Sequence, residues 1–182
     1  MPRIHVCPLS KVPETVSATG ARSLVTLIDK GTPVRRPREI SPEKHLVVVI
    51  SDIVVSLDRH ILPSEIHVEK LLAFVRGWDQ SSPLLIHCWA GVSRSTAAAF
   101  IAACALNPDR SEAEIAQTIR AKSPTATPNA RLVAIADVML ERNGRMVGAV
   151  EKIGRGSNCF EGTPFTLELL RAQTPSKTQV YL

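Results

Sequence analysis

Long apolar runs, aromatic side chains and paired cysteines are all scarce in these 182 residues. The richest apolar stretches, 45–50 and 96–106, fall well short of the roughly 18 residues that a membrane-crossing helix needs. Aromatics make up 4% of the chain, too few for the stacking platforms of a single-stranded nucleic-acid binder. The four cysteines, Cys7, Cys88, Cys104 and Cys159, form no Cys-x-x-Cys pair, which argues against a zinc knuckle and against a disulfide scaffold. No metal site and no cofactor are expected. The N-terminus has one basic residue, Arg3, and no long apolar segment leading to a small-residue cleavage site, so the expected compartment is the cytosol.

What is present fits one core-forming domain. Hydrophobic residues are 45% of the chain, and 22 Lys and Arg against 17 Asp and Glu give 22 − 17 = +5. That excess favours anionic partners of modest size over nucleic acid, and neither a nucleic-acid nor a membrane partner is expected. Short aliphatic runs at 4–7, 23–28, 45–50 and 84–87, bounded by Pro, Gly, Asp or Ser, read as about four buried strands. Between the last two, Val68, Leu71, Leu72 and Val75 share one helical face, and a crossover helix of that length makes the pairing parallel. The expected class is therefore α/β, a small mostly parallel central sheet flanked by helices.

The second half reads as helical. Residues 95–106 are apolar nearly all round, as in a helix buried at the centre of a domain. Ser111 and Glu114 have capping-box spacing, with a stop near Ser123-Pro124. Leu132, Ile135, Ala136, Met139 and Leu140 repeat with helical period, and Asn143-Gly144 reads as the end of that helix. From about Gly154 the periodicity is lost, so the expected organisation is a domain over 1–153 and a surface-packed or flexible tail over 154–182.

Chemistry concentrates in the segment from Leu84 to Thr96. A buried strand runs into a loop that opens with Cys88, contains Gly91 and ends at Arg94, where the buried helix begins. Such a loop can turn successive N–H groups inward into a nest completed by the helix dipole, a cradle for an oxyanion formed by Trp89, Ala90, Gly91, Val92, Ser93 and Arg94. A cysteine at its mouth has its thiolate stabilised, with a pKa expected below the roughly 8.5 of a free thiol. Arg94 can give a bidentate fork to two phosphoryl oxygens. Gly91 allows a positive φ, Ser95 can donate to the cysteine sulfur, and His87 can fix the loop by hydrogen bonding.

The sequence His87-Cys88-x-x-Gly91-x-Ser93-Arg94-Ser95 resembles the active-site loop of the cysteine-dependent protein tyrosine phosphatases, in their compact dual-specificity-like branch. With four cysteines and fifteen arginines, a bare Cys-x5-Arg spacing arises by accident about 0.3 times. Cys104 and Arg110 are such a decoy, with neither a strand before them nor a glycine between. The Cys88 segment adds His, Gly, Ser, the strand and the helix.

The resemblance also implies a general acid, usually an aspartate some thirty residues before the nucleophile. Asp52, 36 positions before Cys88, and Asp58, 30 before, both qualify, and Asp52 is preferred because it follows the end of a strand. No Trp-Pro-Asp sequence marks the position. Arg120 to Asn129 is similar to the Arg…Pro-Asn segment of the same branch, with Asn129 as a loop-supporting residue, although Pro128-Asn129 would start a helix in any fold.

The resulting expectation is a phosphomonoester hydrolase acting through a cysteinyl-phosphate, on phosphotyrosine alone or with dual specificity. Cys88, Arg94, Asp52 and Ser95 would carry the chemistry. The partner would be a phosphorylated protein or a small phosphomonoester. A non-catalytic phosphate-binding module, a phosphoinositide phosphatase and an arsenate-reducing or sulfur-transfer enzyme are the alternatives. Extra cations, or a resolving cysteine near Cys88, would favour the last two, and the loop carries neither.

Overall fold

The computed structural model describes residues 1–169. Its centre is a five-stranded sheet in the order β3-β2-β4-β1-β5, built from β1 (Arg3–Pro8), β2 (Ser23–Ile28), β3 (His45–Val49), β4 (Leu84–Cys88) and β5 (Phe165–Glu168). The first four pair in parallel, with Thr26 beside His87 and Pro8 beside Cys88 in register. Parallel strands buried on both faces need continuous aliphatic runs, and every residue of β2 and β4 is buried.

Six helices flank the sheet: α1 (Val12–Thr19), α2 (Glu65–Gly77), α3 (Arg94–Leu106), α4 (Glu112–Lys122), α5 (Ala130–Met139) and α6 (Arg145–Ile153). The main core lies between one face, carrying Ile4, Val6, Leu27 and Ile86, and helices α2 to α6. Its axis is α3, buried at every residue from Arg94 to Cys104, which is why that stretch is rich in alanine. A smaller core on the opposite face joins Cys7, Leu24 and Leu85 to Val12 and Val16 of α1. Ser64 begins α2 with a reciprocal capping box closed by His67.

Four features differ from the sequence expectation. The sheet has a fifth strand: residues 165–168, assigned above to the tail, pair antiparallel with β1 and bury Phe165 and Leu167 against the main core. Four residues of alternating burial give too short a period-two signal to stand out beside Gly, Ser and Pro. Ser111 starts α4 without a side-chain capping bond, and the first turn is tied down instead by buried Glu112, which pairs with Arg142 at 3.0 Å and Arg145 at 3.2 Å. Asn143-Gly144 does not end α5. Gly144, at φ +83°, begins α6, whose first N–H groups are taken by the Asp137 carboxylate. Helix α1, short and led by Pro13, was not anticipated.

Candidate active site

The loop between β4 and α3 is shaped by where its carbonyls go. Trp89 O accepts from Leu9 N at 3.0 Å, Ala90 O from Gly162 N at 2.8 Å, Val92 O from Thr127 N at 2.9 Å, and Ser93 O from Asn129 N at 3.3 Å. Three separate segments, around Leu9, Thr127–Asn129 and Gly162, thus hold these four carbonyls, which leaves the loop's N–H groups for its interior. The Gly91 N–H donates to Cys88 Sγ at 3.3 Å, and the Ser95 hydroxyl lies 3.1 Å from the same sulfur. Gly91 sits at φ +72°, and a Cβ there would stand 2.7 Å from Pro8 N and 2.8 Å from the Cys7 carbonyl carbon. No other residue type fits that crossing against β1.

Arg94, the first residue of α3, is 4% exposed. Its Nη1 donates to Asp29 Oδ2 at 2.7 Å and to Ile50 O at 2.8 Å, fixing the guanidinium between the ends of β2 and β3. Its Nε is buried and has no partner among the described residues. A buried donor left unmatched costs roughly 1–3 kcal/mol, which an acceptor reaching this N–H would recover.

Asp52 is brought to the loop and Asp58 is not. Asp52 Oδ1 accepts from Ser93 Oγ at 2.6 Å and from Asn129 Nδ2 at 2.9 Å, while Asn129 Oδ1 caps α5 through Leu132 N. Asp58 has a side chain 95% exposed beside Arg59. His87 is fully buried. Its Nδ1 lies 3.3 Å from Cys88 O and its Nε2 2.7 Å from Thr26 Oγ1. Burial pushes the His87 pKa down to about 4, and it pushes the Cys7 and Cys104 thiols up to about 12, leaving those two as un-ionised packing residues at neutral pH.

No protein-family profile matches the chain, and no curated protein matches it by sequence. Solved structures do. Human DUSP28 aligns over 77% of this chain and 92% of its own, at 17% identity and a TM-score of 0.60. DUSP15 aligns over 84% and 91%, at 16% identity and a TM-score of 0.58. The human tyrosine phosphatase-like serine/threonine/tyrosine-interacting protein aligns over 79% and 94%, at 16% identity and a TM-score of 0.58. The chain has the protein tyrosine phosphatase fold.

Within this phosphatase fold, two clefts of about 480 and 490 Å³ adjoin the loop at Ser93 and also share Thr127, Pro128 and Ala130. The second is walled by Asp52 and by Val54, Val55 and Leu57, three aliphatic residues exposed on the segment after β3. Trp89, directly after Cys88 in the loop, meets Phe160 edge to face, with ring centroids 5.3 Å apart. Phe160 is 79% exposed yet held in place. Gly156 N and Ser157 N before it bond to Thr127 Oγ1 and Pro124 O, and Glu161 and Gly162 after it bond to Ser10 and Ala90.

Several of these residues escaped the sequence reading. Asp29 directly follows the last residue of β2, so the strand-end rule that selected Asp52 could have found it. Thr26 and His45 lie inside strands and carried no signal. Gly162 and Phe160 belong to the stretch assigned to the tail. Among the described residues no cluster of His, Cys, Asp and Glu could hold a metal ion, and no helix is long and apolar enough to cross a membrane.

Proposed function

We propose that this protein is a cysteine-dependent phosphomonoesterase acting on phosphotyrosine-type esters. The observation that carries the reading is the pairing of Cys88 Sγ, in contact with the Gly91 N–H and the Ser95 hydroxyl, with an Arg94 whose anchored guanidinium keeps a buried Nε–H unmatched. A phosphoryl dianion in the loop would take that donor together with the inward N–H groups.

In the first step the Cys88 thiolate attacks phosphorus, the S–P bond forms and the ester P–O bond breaks. The proton on Asp52 passes to the leaving oxygen. Ser93 and Asn129 both bond Asp52 through Oδ1, and in this mechanism Oδ2 carries the proton. In the second step water attacks the cysteinyl-phosphate, gives its proton to Asp52, and the S–P bond breaks to release phosphate. Donation from the Ser95 hydroxyl eases departure of the sulfur.

The preference for an aryl ester rests on two features. The loop side chains supply no cation besides Arg94, whereas a head group with several phosphates would call for more. Two of the chain's seven Phe, Trp and Tyr residues, Trp89 directly after the nucleophile in sequence and Phe160, stand exposed against each other, a surface suited to an aromatic ring.

The test is vanadate-sensitive hydrolysis across phosphotyrosine, phosphoserine and inositol phosphate panels, with Cys88→Ser alongside. The expected result is turnover of phosphotyrosine that Cys88→Ser abolishes while it still binds vanadate. Wild-type turnover by Cys88→Ser would remove the covalent mechanism. Vanadate binding without any turnover by the wild type would leave a phosphate-binding module.

A further inference from the structure

The structure contains a hydrogen-bonded chain that runs across three strands to the nucleophile's own peptide group. On the face of the sheet that carries α1, His45 Nε2 of β3 lies 2.8 Å from Thr26 Oγ1 of β2, and Thr26 Oγ1 lies 2.7 Å from His87 Nε2 of β4. His87 Nδ1 in turn lies 3.3 Å from Cys88 O. Thr26 and His87 are register partners, and His45, level with Leu24, reaches Thr26 along the diagonal.

Elementary donor counting fixes every proton in this chain. Cys88 O can only accept, so His87 Nδ1 carries hydrogen. A neutral His87 then has a bare Nε2, which must accept from the Thr26 hydroxyl. Thr26 has one hydrogen, so toward His45 it accepts, and His45 Nε2 carries hydrogen. The order is His45 Nε2–H to Thr26 Oγ1–H to His87 Nε2, and His87 Nδ1–H to Cys88 O. All donors point the same way, toward the cysteine, and such a chain strengthens its last member.

We infer that Thr26 and His45 are positioning residues for the proposed reaction: they lock His87 in the tautomer that binds and polarises the Cys88 carbonyl, and so favour the thiolate at the mouth of the loop. Neither residue touches substrate. The chain links a half-buried histidine on the edge strand to the nucleophile through buried groups only. Protonation of His45 adds a hydrogen at Nδ1 and keeps its Nε2 donor, so the direction of the chain survives it. The other charged or titratable groups acting here are Arg36 near His45, Cys7 near Cys88 across the β1–β4 pair, and Arg94 with Asp29 at the loop. Burial and Arg36 both hold the His45 pKa below the ordinary histidine value.

The inference rests on the phosphatase reading but is tested apart from it. Nitrogen-15 NMR of the histidine rings in the full chain should find His87 protonated at Nδ1 and His45 at Nε2, and the reverse tautomers would overturn the proposal whether or not the protein turns over any ester. Thr26→Val and His45→Leu break the chain, while Thr26→Ser and His45→Gln keep a hydroxyl and an N–H donor in place.

With p-nitrophenyl phosphate, the breaking variants should move the acid limb of the kcat/KM profile upward, losing about three- to tenfold near pH 5.5 and recovering to within about twofold above pH 7.5. The conserving variants should follow the wild type. Equal loss at every pH, or a wild-type profile in both breaking variants, would overturn it. His45→Leu at the half-exposed edge serves if Thr26→Val does not fold. Iodoacetate labelling of the Cys88 peptide against pH gives the same comparison without turnover.

Discussion

Asp29 Oδ2 and Arg94 Nη1 are 2.7 Å apart, and the two residues differ sharply in exposure, with side chains 43% and 5% accessible. A half-exposed carboxylate paired with a buried guanidinium acts chiefly on orientation. It holds one end of the fork while the Nε edge stays available. Asp29→Ala should therefore leave the fold intact and weaken anion binding, with kcat/KM down about ten- to thirtyfold, or roughly 1.4–2 kcal/mol. Vanadate inhibition constants check this. An unchanged constant would mean that the Ile50 carbonyl alone orients Arg94.

Asp52 and Asp58 separate cleanly by their surroundings. Asp52 is tied to Ser93 of the loop and to Asn129 at the start of α5, whereas the Asp58 side chain stands in solvent. Asp52→Ala should lower kcat by about a hundredfold on phosphotyrosine peptides and by less on esters whose leaving group needs no proton, with KM little changed. Asp58→Ala should stay within twofold of wild type. Steady-state kinetics on two esters of different leaving-group pKa decide it, and the opposite pattern would move the acid role to Asp58.

Gly162 lies 74 residues beyond Cys88 in sequence, yet its N–H holds the Ala90 carbonyl outward. A Cβ on it would stand 3.0 Å from Gly91 O and 3.3 Å from Val92 Cγ2. Gly162→Val should press on the loop directly. The expected result is a loss of kcat/KM of about tenfold or more with far smaller change in the urea midpoint, since β5 beyond it is paired separately with β1. Parallel urea melts and kinetics distinguish a displaced loop from a destabilised domain.

The sequence made the loop readable because its parts are contiguous. His87, Cys88, Gly91, Arg94 and Ser95 sit in nine residues, and strand, glycine and buried helix each leave a local signature there. The four parallel strands were legible for the same reason, as aliphatic runs with clear ends. What could not be read are the partners that the fold brings from afar. Leu9, Thr127 and Gly162 act through backbone N–H groups, which have no residue code at all. Thr26 and His45 look like ordinary strand residues until the register sets them beside His87. Asp29 is the exception, since its place at a strand end carried the same information as that of Asp52.

His87 ties the site to the stability of the whole domain. Its folded pKa, depressed to about 4 by burial, lies below the ordinary 6.5 of an unfolded chain. As pH falls below 6.5 the unfolded state takes up a proton that the folded state refuses until about pH 4. The stabilisation is therefore complete above pH 6.5, is lost progressively between 6.5 and 4, and changes no further below that. The full difference is of the order of 3 kcal/mol from this one residue. His5 and His45, also depressed by burial, act in the same direction. Urea unfolding at pH 7.5, 6 and 5 should show stability falling with pH, and His87→Asn, which cannot titrate, should flatten much of that slope even where it is less stable at neutral pH. A variant with the wild-type slope would assign the acid sensitivity to other groups.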